Sequence, residues 1–97
     1  MKTIDLNKPG LGLDDQVLLD NGTPVNLGKT LGGFLVASTK GDALKYYDWA
    51  CALYKGNSIK VDSSDFKKIR DFVENHEHIT NLAKAQILKE LDSIKED

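Results

Sequence analysis

At 97 residues with 40 % apolar types, the chain suits one domain with one core, because two domains would leave neither an adequate interior. Thirteen basic residues against fifteen acidic ones leave a net charge of −2; the signs intersperse from Asp42 to Asp97, and no basic footprint for nucleic acid or a membrane surface stands out. No run approaches the roughly 18 apolar residues that span a bilayer, and the single cysteine, Cys51, cannot form an internal disulfide, so the expected address is the reducing cytoplasm.

Six of the eight glycines and both prolines precede residue 34, which predicts strands and turns first and helices afterwards. Thr3 to Leu6 alternates and allows a short strand from Ile4 to Leu6, broken by Asn7-Lys8-Pro9-Gly10. Asn21-Gly22 between two apolar runs predicts a two-residue β-hairpin, since both central residues need positive φ. That turn sets Asp20 opposite Thr23, Leu19 opposite Pro24 and Leu18 opposite Val25. Leu18 and Val25 then share one face, and Val17, Leu19 and Pro24 share the other. One face should rest on the protein's own helices. The open edge of Val17 to Leu19 is left for Ile4 to Leu6 or a partner strand, and Val17, Leu18, Leu19, Pro24 and Val25 form the candidate interaction surface.

Leu27, Leu31, Phe34 and Leu35 fall at helical spacing behind Asn26 as N-cap. Gly32 and Gly33 inside this segment imply either a neighbour packed close to the backbone or a bent turn. Asp42 caps a second helix to about Lys55 with two apolar stripes: Leu44, Tyr47, Cys51 and Tyr54, and Tyr46, Trp49, Ala50 and Leu53. Two stripes predict burial on two sides, with Cys51 in the core and inert. Gly56-Asn57 ends the helix, and Ser58 to Val61 forms an extended link. A third helix, capped by Asp62 or Ser63, turns Phe66, Ile69, Phe72 and Val73 inward and frays near Asn75. Thr80 opens a fourth, with Leu82, Ala83, Ile87, Leu91 and Ile94 inside; Lys95-Glu96-Asp97 is expected to be loose.

Four sequence features invite chemistry and are better read plainly. Gly28-Lys29-Thr30 resembles the end of a P-loop, but Gly22 lies one residue too far upstream. His76-Glu77-His78 lacks a third zinc ligand and reads as a solvated helix end. Tyr46, Tyr47, Trp49 and Tyr54 lack the basic groove that base stacking needs. Lys67, Lys68 and Arg70 form the densest basic cluster, flanked by Asp65 and Asp71.

The Asp20-Asn21-Gly22-x-Pro24-x-Asn26-Leu27-Gly28-Lys29 hairpin running into a helix, then Asp42-Ala43-Leu44-Lys45-Tyr46-Tyr47 before Ile59-Lys60-Val61-Asp62, resembles small uncharacterised proteins of tailed bacteriophages and prophages. The likeness spans about Asp20 to Leu91 and implies a phage or prophage setting in a bacterial cytoplasm, with no functional residue carried over. The expectation is a mainly α (α+β) single domain over residues 1–97. Residues 1–27 form the strand and hairpin region, and residues 28–97 carry three to four short helices. The expected function is a non-catalytic protein-interaction or assembly module that binds a protein partner or itself, without cofactor, metal or catalytic residues. The rival is a regulator touching nucleic acid through Lys67, Lys68 and Arg70.

Overall fold

In a computed structural model, which describes residues 1–95, the chain forms four helices and two antiparallel sheets of two strands each. Glu96 and Asp97, expected to be loose, lie outside the described residues. Strand β1 (Lys2–Ile4) pairs with β4 (Ile59–Val61), Lys2 opposite Val61 and Ile4 opposite Ile59. This corrects the expected strand from Ile4 to Leu6. Ile59 and Val61, both buried, need backbone partners, and β1 supplies them. Leu6 is buried too, but its carbonyl accepts N–H bonds from Lys8 at 2.7 Å and Gly28 at 2.9 Å and turns the chain away from the sheet.

The hairpin of β2 (Leu19–Asp20) and β3 (Thr23–Pro24) has the expected register. Asn21 at φ 52° and Gly22 at φ 82° supply the two positive-φ positions of the turn that matches strand twist. The next pair keeps one bond, from the Val25 N–H to the Leu18 carbonyl at 2.9 Å, and there Gly10 enters between the arms. Its N–H donates to the Val25 carbonyl at 2.8 Å and its carbonyl accepts from the Leu18 N–H at 2.9 Å. The segment around Gly10, through bridges from Pro9 to Asn26 and Leu11 to Val17, therefore fills the edge once assigned to Ile4–Leu6. Gln86 fastens this segment to the last helix: its side-chain oxygen accepts the Leu11 N–H at 2.8 Å, and its amide donates to the Leu11 carbonyl at 2.6 Å.

Helix α1 (Leu27–Ala37) is regular through its glycines and lies antiparallel to α2 (Ala43–Tyr54). A Cβ on Gly28 would lie 3.0 Å from the Leu53 carbonyl oxygen, and one on Gly32 would lie 3.1 Å from that of Ala50. Of the two readings of the glycines, close packing is the one the molecule uses, and it uses Gly28 and Gly32; Gly33 faces open space. Helix α2 ends in a Schellman motif, with Gly56 at φ 84° and the Asn57 N–H reaching the Ala52 carbonyl at 2.9 Å. Asp62 caps α3 (Ser63–Asn75) and Thr80 caps α4 (Asn81–Asp92), each accepting an N–H three residues on. One core joins every layer, with Ile4, Leu31, Leu53, Val61, Ile69 and Leu91 all buried.

The expected two-sided burial of α2 does not occur. Trp49, Ala50 and Leu53 are buried, whereas Leu44, Tyr47 and Tyr54 stand in solvent and Cys51 is half-buried rather than in the core. A helix needs one covered stripe, and α1, β4 and α3 together cover only the Trp49 side.

Candidate functional site

The first turn of α1, where a phosphate would sit in a P-loop, has its donors engaged. Leu27 N–H donates to the Lys8 carbonyl, Gly28 N–H to the Leu6 carbonyl, Lys29 N–H to Asn26 Oδ1 and Thr30 N–H to the Asn26 carbonyl, all between 2.9 and 3.0 Å. Lys29 turns aside, its ammonium 5.3 Å from the centre of the Tyr54 ring.

The basic cluster on α3 is neutralised where it stands. Lys67 Nζ pairs with Asp71 at 2.8 Å, Lys68 Nζ lies 3.8 Å from Asp65, and Arg70 grips Asp92 of α4 with two nitrogens at 2.8 and 3.1 Å while also reaching Glu74. The guanidinium in turn holds the Asp92 carboxyl below its ordinary range. Each cation of this cluster is thus already matched within the chain.

His76 is more than a solvated helix end, although His78 beside it is exposed. Its ring packs edge-on against Phe34 of α1 at 4.7 Å and Phe72 of α3 at 5.1 Å. Lys84 Nζ reaches over from α4 to the His76 carbonyl at 2.7 Å and the Glu74 carbonyl at 3.2 Å, closing the α3 terminus. Burial lowers the imidazole's pKa; the nearby charges of His78 and Lys84 push it the same way, opposed by Glu77. A base with a depressed folded pKa takes its proton more readily in the unfolded chain, so stability declines as pH falls below about 6.5 and is unaffected by this group above it. The melting temperature is expected to drop as the pH falls below about 6.5 in the native protein and to stay flatter in His76→Phe, which keeps the ring packing. Among the described residues no group of three or more His, Cys, Asp or Glu side chains is placed to hold a metal ion.

The hairpin residues divide. Val17, Leu19 and Pro24 are exposed, and Leu18 and Val25 are half-buried around Gly10. They make a small apolar patch on strands only two residues long.

A larger one lies on the helices. Leu44 is 78 % exposed, Tyr47 62 %, Tyr54 59 % and Val36 of α1 55 %. Val36 joins the stripe into a continuous surface: with Gly32, Gly33, Ala50, Cys51 and Tyr54 it lines a shallow apolar groove between α1 and α2, and with Tyr46, Tyr47 and Lys40 it lines the hollow at the helix junction. Sequence patterning had placed this stripe in the core. The available signal was the pair Gly28 and Gly32, which marks the α1 face that approaches α2, and hence the Ala50–Leu53 side of α2 as the covered one.

No family model matches the sequence, and no curated protein or solved structure matches it either. No helix among the described residues is long and apolar enough to cross a membrane.

Proposed function

We propose that this protein is a non-catalytic interaction or assembly module that docks a protein partner on the outer face of α1 and α2. The observation that carries this reading is the exposed stripe of Leu44, Tyr47 and Tyr54 on α2, which Val36 of α1 adjoins at Tyr47 and Tyr54, since exposed apolar patches rimmed by polar groups mark interaction sites. Tyrosines suit the role, offering large rigid contact area with a polar tip. The outer hairpin residues Val17, Leu19 and Pro24 are a second, smaller surface for the same purpose. The resemblance in layout sets the proposal in a phage or prophage protein working in the bacterial cytoplasm.

Pairing of Lys67, Lys68 and Arg70 with carboxylates favours this reading over nucleic-acid contact. The test is capture from the native host with wild-type bait and with Leu44→Lys and Tyr47→Lys baits of unchanged melting temperature. A set of proteins retained by wild type and lost with both variants is the expected result. Binding of DNA that weakens steeply with salt and is lost in Lys67→Ala with Lys68→Ala overturns it.

A further inference from the structure

The charge around the α1–α2 groove differs from that of the whole chain. Residues 29–55 hold four lysines, Lys29, Lys40, Lys45 and Lys55, against two aspartates, Asp42 and Asp48; with Lys45 set aside as the partner of Asp65, three lysines stand against two aspartates, a local charge of +1 in a protein of −2. Lys45 faces α3 and is held by both oxygens of Asp65 at 3.1 Å. The other three have no carboxylate partner within the described residues. Lys40 lines the junction end of the groove, and Lys29 and Lys55 flank Tyr54 at the opposite end. Asp42 and Asp48 keep their charges, but Asp42 is turned to the α2 N-terminus, where it accepts the Lys45 N–H, and Asp48, at 100° per residue, falls on the side of the stripe away from α1.

The groove is therefore apolar along its length with lysines at both ends, and α2, which forms one wall, is 12 residues or about 18 Å long, some three helical turns. Gly33 leaves one wall without a side chain, with nothing within 4 Å of where its Cβ would be, so another backbone can come close. Two antiparallel helices with such a groove accept a third helix, its ridge seated between theirs. We infer that the occupant is an acidic amphipathic helix of a partner protein, about three turns long, with an apolar stripe facing the groove and carboxylates near each end. This rests on the reading of the same face as a protein-docking surface and adds the chemistry of the partner.

The probes are two synthetic helical peptides of about fifteen residues with one leucine stripe, carrying glutamates at both ends in one and lysines in the other. Each is titrated into the full chain by calorimetry, with light scattering alongside. The glutamate peptide is expected to bind at least about tenfold tighter at low salt, the gap closing near 0.5 M salt, where screening is short-ranged. Lys29→Glu with Lys40→Glu is expected to reverse the preference, and Leu44→Lys to weaken both peptides. Equal binding of the two peptides, lost in Leu44→Lys, overturns the acidic partner while leaving the docking face standing. No binding by either peptide overturns the inference, as does a concentration-dependent dimer abolished by Leu44→Lys, which makes a second copy the occupant. Tighter binding of a single-stranded DNA oligomer than of the glutamate peptide also overturns it.

Discussion

Gly32→Val is expected to cost about 3 kcal/mol or more and to lower the melting temperature by over about 10 °C, because branched carbons would be driven into the α2 backbone. Even a bare Cβ there lies 3.1 Å from the Ala50 carbonyl oxygen and 3.5 Å from the Ala50 Cα. Backbone cannot swing aside as a side-chain tip can, so relief requires the two helices to separate and opens the Leu31 and Leu35 contacts on either side of the contact point. The neighbouring glycine provides the control. Gly33 sits in the same helix with open space at its Cβ position, so Gly33→Ala removes only the entropic penalty of glycine and is expected to stabilise the fold by about 1 kcal/mol. Thermal melts of the two variants settle the matter. Equal shifts of the same sign would mean that α1 does not approach α2 through Gly32.

A comparable effect is expected on α2, where two apolar stripes share one helix. Leu53→Ala should cost about 2–5 kcal/mol, the usual loss for a fully buried leucine whose cavity cannot collapse, since Leu53 is 1 % exposed. Leu44→Ala, on the opposite side, should change stability by no more than about 0.5 kcal/mol. Denaturant melts with unchanged m-values would confirm that both variants report on the same native state. Similar losses in the two would mean that the Leu44 stripe is covered in solution.

That second contrast marks where the sequence was legible and where it was not. Caps and turns act through near neighbours: Asn21-Gly22 needs no distant residue to demand positive φ, and the Asn26, Asp42, Asp62 and Thr80 side chains each bond three positions along. These features, and with them the mainly helical class, could be read locally. The choice between the Leu44 and Trp49 stripes was different in kind. Both are apolar at helical spacing, and only the neighbours supplied by the fold decide which is covered. Patterning therefore placed Cys51 in the core and missed the exposed apolar stripe of Leu44, Tyr47 and Tyr54. The β1–β4 pairing was hidden for a related reason, each strand being three residues long with its partner more than fifty positions away. Gly10 showed in the sequence only as part of the break after the first strand, because its two hydrogen bonds go to residues on the two separate arms of the hairpin.

The pairing of Lys2 with Val61 also orders events during synthesis. Residues 2–4 leave the ribosome before their strand partners, which are made nearly sixty residues later, whereas the Leu6 and Lys8 carbonyls just after them receive the first N–H groups of α1. The hairpin and the α1–α2 pair are short-range and can assemble as they emerge, whereas residues 2–4 lack their strand partner until β4 clears the exit tunnel, since non-local contacts form only after the intervening chain is available. Settling of the N-terminal strand is thus a late step that closes the sheet on an already helical nascent chain.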